Sequence, residues 1–396
     1  MSDPTDRRHP LGDAEPLPHY VSDAPFEPDT DSAMTPELQR YYMASQWTMM
    51  WWKLRRHRLA VAAAILLGLF YLSCLVSEMI APYALESRSN AYIFAPPMPV
   101  HWFHEGEFIG PFVYPVEKQL DVATFQTEWI EDRSRPQPLR WFCSGDSYNW
   151  LGLIPMDFHF VCPPEGGAFF WLGADRLGRD VFSRMIYGAR ISLTVGLVGV
   201  SLSFVLGIVI GGLAGYYGGL VDSAVQRVIE VLRSFPELPL WMALSAALPA
   251  NWDMVWIYFG LTLILALLDW PSLARAVRSK LLALREEDFA TAAYLMGAKP
   301  RRIIARHLLP SFASHLIASA SLSIPGMILA ETALSYLGLG LDSPAVSWGV
   351  LLKEATDFTT VVLYPWLIYP MVPVILVVLA FNFLGDGLRD AADPYK

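Results

Sequence analysis

Six mostly apolar stretches, each twenty residues or longer, limit the folds open to this chain more than any other feature: Leu59 to Ala81, Ile191 to Gly215, Val225 to Leu248, Met254 to Leu273, Phe312 to Leu339 and Val361 to Leu384. A helix needs roughly 20 apolar residues to cross the hydrocarbon of a bilayer, so each is long enough to span. The composition agrees, with 54% hydrophobic and only 17% charged residues among 396. That is too greasy for an ordinary soluble enzyme, and the abundant aromatics exclude a disordered or collagen-like chain. The expected fold class is an all-α polytopic membrane protein with six transmembrane helices.

Residues 1–46 read as a disordered acidic tail. Nine acids and seven prolines lie within Met1 to Arg40 and hydrophobic periodicity is missing, so this segment cannot bury enough surface to offset its entropy. No cleavable signal is expected, because the first apolar run begins only after residue 58. Residues 47–81 form a basic flank and the first span; Lys53, Arg55, Arg56 and Arg58 precede it and place the amino terminus in the cytoplasm by the positive-inside bias. The connection from Arg275 to Pro310 carries eight basic residues and should be cytoplasmic too. Four spans separate the two, an even number, so they agree. Arg176, Arg179, Arg184 and Arg190 then fall outside, against the bias; they are expected on one face of an interfacial amphipathic helix with Val181, Met185 and Ile186 opposite. The tail 385–396 should be cytoplasmic, and Pro365, Pro370 and Pro373 should bend the last span.

Residues 82–172 are rich in aromatics and proline and have short strand-like pieces. They are expected to form an external domain inserted between the first two spans. Cys143 and Cys162 fall inside it, and a disulfide between them would stabilise the domain by roughly 3 kcal/mol in the chain-entropy model. The rival is a metal site that uses His159 beside Cys162, with His101 and His104.

Common catalytic signatures are missing from the sequence. It has no G-x-x-x-x-G-K-[ST] phosphate loop, no H-E-x-x-H and no G-x-S-x-G. The acids of the spans, Glu78, Asp269 and Glu331, are expected near helix ends, and a proton relay would place them near the midplane. The energy source is therefore expected on another chain.

Arg285 to Pro310 is the most informative surface segment. Phe289, Ala293 and Met296 recur at helical spacing, Gly297 supplies a stop that tolerates positive φ, and Pro300 opens a second short helix. Ala290, Ala292 and Ala293 would let a groove of another protein approach closely, with Phe289 as anchor. A basic linker resting on lipid headgroups is the alternative on pattern alone. In the second apolar run Gly199, Ser203, Gly207, Gly211 and Gly215 put a small residue on one stripe every four positions, a helix-packing seam. In the fifth, His315, Ser319, Ser323 and Gly326 fall near one line. Ser319, Ser323, Gly326 and Glu331 are the candidates for lining a conduit, against the alternative that the serines bond neighbouring helices.

The run Thr291, Ala292, Ala293, then Gly297, His307, Leu309 and Pro310 resembles the coupling-loop (EAA) signature of permease subunits of binding-protein-dependent ABC importers. Thr291 stands where that pattern has Glu, and His307 where Ile is common. Leu172 to Leu193 (LGADRLGRDVFSRMIYGARISL) is similar to the segment before the second span in C-type permeases of the dipeptide, oligopeptide and nickel branch. GYYGGLVD, ETALSYLGLGL and FNFLGDGLRDAADP support it. The long tail and insertion look most like Yej-type peptide permeases.

The resemblance implies the type I ABC importer permease fold, with residues 173–384 as a five-helix core and 281–310 as a cytoplasmic coupling loop. It implies a non-catalytic subunit of the bacterial inner membrane with both termini cytoplasmic. Its partners would be a B-type permease, two ATPase subunits that hold the ATP and Mg, and a periplasmic solute-binding protein; nucleic acid is not expected, nor any cofactor or metal on this chain. Glu287, Phe289, Ala292, Ala293, Met296, Gly297 and Arg301 would couple to the ATPases. A stand-alone secondary carrier or a membrane receptor are the competing classes.

Overall fold

A computed structural model of the chain describes residues 43–120, 127–249 and 251–392. The expected disordered tail falls almost wholly on residues 1–42, outside the described residues; Gln46–Arg56 is helical.

The long helices follow from the apolar runs, and polar residues set their ends. Helix α1, Arg58–Leu75, starts where the His57 ring accepts from the Ala60 N–H at 3.1 Å. Helix α2, Val181–Tyr217, starts at Asp180, whose carboxylate accepts from the Ser183 N–H at 2.7 Å, an N-cap that satisfies an otherwise orphaned donor. It stops at Gly218, which holds φ +64°. Helices α3, Gly219–Ser234, and α4, Glu237–Ala246, follow, then α5, Met254–Leu284. A short surface helix α6, Asp288–Leu295, leads to α7, Ala313–Tyr336. Helix α8, Trp348–Lys353, and a final α9, Met371–Ala392, complete the chain.

Among the described residues five segments are long and apolar enough to cross a membrane: Arg58–Leu75, Val181–Tyr217, Met254–Leu284, Ala313–Tyr336 and Pro365–Ala392. The protein is a multi-pass membrane protein, mostly helical. The third expected span is not one helix. Phe235 takes an extended conformation, φ −89° and ψ 141°, because the ring of Pro236 excludes the helical region for the residue before it, so the run divides into α3 and α4. The last span also departs from expectation. Phe358–Leu363 is a separate helical turn, Pro365–Ile368 is a 3-10 turn, and α9 starts only at Met371, with Pro373 in its first turn where proline does no harm. Residues 385–392, expected in a tail, continue α9, so Asp386, Arg389 and Asp390 lie on a helix.

The insertion corrects the all-α reading. Among the described residues it holds three antiparallel pieces: β1 (His101–His104) with β2 (Glu107–Val113) and the short β5 (Gln137–Pro138); β3 (Val116–Leu120) with β4 (Thr127–Glu131); and the hairpin of β6 (Arg140–Trp150) with β7 (Ile154–Cys162). Val113, Val116, Leu139, Phe169 and Phe170 are buried together, with Tyr83 stacked on Phe170. Cys143 and Cys162 are joined by a disulfide across β6 and β7. The His159 ring sits between the carbonyls of Ala81, at 2.7 Å, and Asp146, at 3.0 Å.

Candidate functional site

The surface segment α6 is anchored by two alanines. Ala290 and Ala293 are buried, packed with Leu281, Ile303 and Leu308 of the same chain. They are therefore not available to a partner's groove, which corrects the expectation that placed both on the outer face; close packing needs their small side chains on the inside. The outward residues are Phe289, 44% exposed, with Ala292, Tyr294, Leu295 and Met296, and the flanking Glu287 and Arg301 are exposed as well. Gly297 holds φ +80°, and the turn it makes lets the Ala298 N–H donate to the Ala293 carbonyl at 3.1 Å, closing the helix end. Beside it Tyr216, Arg285, Glu286, Thr291, Tyr294 and Ile303 border a cavity of about 270 Å³. Arg285 spans this junction, donating to the Tyr216 carbonyl at 3.3 Å and to Glu286 at 2.9 Å. Arg278 forms a two-point ion pair with Asp222, tying α5 to α3 at the same end.

The small-residue stripe of α2 lies against two helices. A Cβ on Gly211 would stand 2.4 Å from the Ala274 carbonyl oxygen, and one on Gly215 2.8 Å from the Arg278 carbonyl oxygen, so α2 and α5 touch backbone to backbone. Gly207 meets Leu273 in the same seam, whereas Gly199 meets Met327 of α7. Ser203 donates to Asp269 at 2.8 Å, so this acid bonds across the seam instead of facing outward.

On α7 the four conduit candidates separate. Gly326 is exposed with open space around it, and Ser319 and Ser323 are half-buried on the same side as the exposed His315. Glu331 is fully buried: it accepts from Ser335 at 2.9 Å and from Ser192 of α2 at 3.2 Å, and Ser192 in turn accepts from the Trp348 N–H at 3.1 Å. At about 100° per residue it lies roughly 140° round the helix from Gly326. It fastens α7 to α2 and α8 and does not line an open face. Below the stripe, at the end of the helices carrying α6, a cavity of about 810 Å³ is bordered by His57, Lys280, His315, Asp386 and Arg389.

The arginines expected on an amphipathic surface helix are elsewhere. Residues 173–180 form a turn, closed by the Gly178 N–H donating to the Asp175 carbonyl, and Arg179 and Arg184 are buried. Arg179 bonds Asp175 at 2.7 Å and Glu354 at 3.0 Å; Arg184 bonds both of the same acids, 3.0 Å from Glu354. Arg190 grips the end of α1: it pairs with Glu78 and donates to the Cys74 carbonyl and to Ser77. Only Arg176 is exposed. Three of the four are paired with acids and fasten segments inside the protein, so they form no basic surface face. Asp175 and Glu354 were not singled out in the sequence; the one signal for them was the surplus of arginine where the topology wanted none.

Comparison with known proteins follows the same segments. The family described as binding-protein-dependent transport system inner membrane component matches residues 207–395, and the N-terminal TM domain of oligopeptide transport permease C matches residues 45–97. The dipeptide transport system permease protein of Alkalihalophilus pseudofirmus is 40% identical over 57% of this chain and 71% of its own length. The oligopeptide transport system permease protein of Haemophilus influenzae is 40% identical over 58% of this chain and 71% of its own. A putative peptide permease of Brucella ovis is 37% identical over 62% and 80%.

Proposed function

The chain belongs to the binding-protein-dependent transport system inner membrane components, among the dipeptide and oligopeptide permease C proteins, and on that premise we propose that it forms half of a translocation pathway for peptides or peptide-like solutes. The other half is a B-type permease. Two ATPase chains, holding ATP and Mg, grip α6 from the cytoplasm, and a solute-binding protein delivers cargo on the opposite side. This chain does no bond chemistry.

The observation that carries the reading is the state of α6, a helix fixed from below by buried Ala290 and Ala293 and presenting Phe289, Ala292, Leu295 and Met296 uncovered. An apolar helix face raised on a rigid seat suits insertion into a groove. Glu287 and Arg301 flank that face, and Gly297 ends it. Closure of the ATPase dimer on nucleotide moves α6 and, through α5 and α7, changes which side the cavity faces; nucleotide drives this by binding one state better than the other. In this arrangement α3 and α4 together make the sixth crossing, both termini are cytoplasmic, and residues 82–172 form a periplasmic domain of an inner-membrane protein. The line of half-buried Ser319 and Ser323 with exposed Gly326 faces the pathway.

Purification of the tagged chain from its own membranes tests the assembly: a second permease and two ATPases should accompany it. Vesicles reconstituted with these subunits should take up labelled peptide only with ATP inside and a binding protein outside. Nucleotide hydrolysis by the single chain, or filling of vesicles without the partners, overturns the reading.

A further inference from the structure

The β6–β7 hairpin is held at two points against the end of the first span and the segment just past it. Near its middle, His159 contacts the Ala81 carbonyl at 2.7 Å; at its tip, the Trp150 indole N–H donates to the Leu75 carbonyl at 2.8 Å. Leu75 is the last residue of the spanning helix α1, and Ala81 comes six positions later in the chain. Val76 (φ −116°, ψ 24°) breaks the helix there, and a separate turn, Ser77–Ile80, comes before Ala81, so the two contacts hold the hairpin at the end of the span and at the segment just past it. The hairpin's turn is therefore fixed at the level where the apolar span ends.

The residues at that turn have the matching chemistry. Leu151, Leu153 and Ile154 are exposed, Leu153 by 82%, around a turn closed by hydrogen bonds from the Gly152 and Leu153 N–H groups to the carbonyls of Asn149 and Trp150. The turn itself, Trp150 to Ile154, has no ionisable side chain. Trp150 adds an amphipathic ring with its N–H engaged, the kind of residue enriched where headgroups meet hydrocarbon. Further along, an apolar groove of about 410 Å³ bordered by Ile80, Trp102, Trp141, Trp171 and Phe182 opens beside the ends of the first two spans.

We propose that the Trp150–Ile154 turn is a membrane anchor, inserted among the lipid acyl chains of the leaflet at that end of the spans, so that the insertion is seated on the bilayer and does not stand free above it. Exposed aliphatic side chains fixed at the level of Leu75 cannot avoid the boundary that the span defines, and the bonding of the Gly152 and Leu153 N–H groups within the turn lowers the cost of bringing its backbone against lipid. The assignment rests on the spans alone and is independent of what is transported.

The full chain, purified with its accompanying subunits, is placed in vesicles of phosphatidylethanolamine and phosphatidylglycerol with a nitroxide at Leu153→Cys. Labels at Leu69→Cys, on the exposed side of α1, and Glu165→Cys, in an exposed loop, serve as lipid and water standards. Collision with oxygen against collision with a water-soluble nickel chelate then reports depth. The Leu153 label should match the Leu69 standard. A ratio like that of Glu165 places the turn in water and overturns the proposal; shielding from both reagents means that protein covers the turn and overturns it equally. Uptake measured on the same vesicles is a separate readout, so failure of the anchor and failure of the transport reading are distinguishable.

Discussion

Arg190 holds Glu78 with both ends of its guanidinium, Nη1 to Oε1 at 2.8 Å and Nη2 to Oε2 at 2.9 Å, and so ties the second span to the turn just past the first. Burial pushes the Glu78 carboxyl up, but the hydrogen bonds and charge of Arg190 outweigh it and hold the group below the usual carboxylate range. A depressed folded value means stability that is full above the ordinary glutamate pKa and is lost as pH falls through the folded one. Thermal unfolding in detergent should therefore show a decline on acidification below about pH 4 that Glu78→Gln lacks. At pH 7 the variant should lose about 1–3 kcal/mol, because it leaves a partly buried arginine without its partner; an unchanged melting temperature would contradict the role given to the pair.

Asp180 behaves in the opposite sense. Burial pushes its carboxyl up to about 7, with the Ser183 hydrogen bonds pulling the other way. A raised folded value gives stability that is complete below the ordinary aspartate pKa and is lost as pH rises through about 7. Asp180→Asn can still accept the Ser183 N–H at the start of α2, so its melting temperature should stay flatter between pH 5 and pH 8 than that of the unaltered chain. Parallel curves for the two would refute the assignment.

The α2–α5 seam gives a steric prediction. The added methyl of Gly211→Ala would fall 2.4 Å from a backbone oxygen, which cannot swing aside as a side chain can. Destabilisation of about 1–3 kcal/mol is expected, read as earlier thermal unfolding. Gly326→Ala, where the same probe meets nothing within 4 Å, should melt as the parent does.

Docking and folding separate on α6. Phe289→Asp replaces an exposed side chain, so the melting temperature should hold while uptake and ATPase recovery collapse. Ala293→Asp buries an unpaired charge behind the same helix and should lower stability by several kcal/mol. If Phe289→Asp transports at the parent rate, α6 is not the contact.

How far the sequence could be read depended on the range of the interaction. The stop at Gly297 is legible because it involves neighbours in the chain; Asp180, Gly218 and Pro236 act over as short a range, but the length of the apolar runs outweighs them, and Val225 to Leu248 reads as one span across Pro236. The stripe Gly207, Gly211 and Gly215 was visible as a period, though the period did not say that α5 was the helix it touched. Glu331 was misplaced because Ser192 is 139 positions away; Arg179 and Arg184 have a near partner in Asp175, 4 and 9 positions off, but the acid that completes the buried cluster, Glu354, is 175 and 170 away. Ala290 and Ala293 were assigned to the wrong side because a small apolar residue fits either the inside of a tight seat or the outside of a docking face, and spacing is the same for both.

Where α2 and α5 meet through Gly211 and Ala274, no side chain lies between the two backbones to shear or repack. The pair is in effect one beam, and the ion pair of Asp222 with Arg278 fastens α3 to it at one end. A push delivered at residues 288–295 will thus be carried along both helices without slippage, and the place where the structure yields must be sought elsewhere, at softer joints such as the Phe235–Pro236 break.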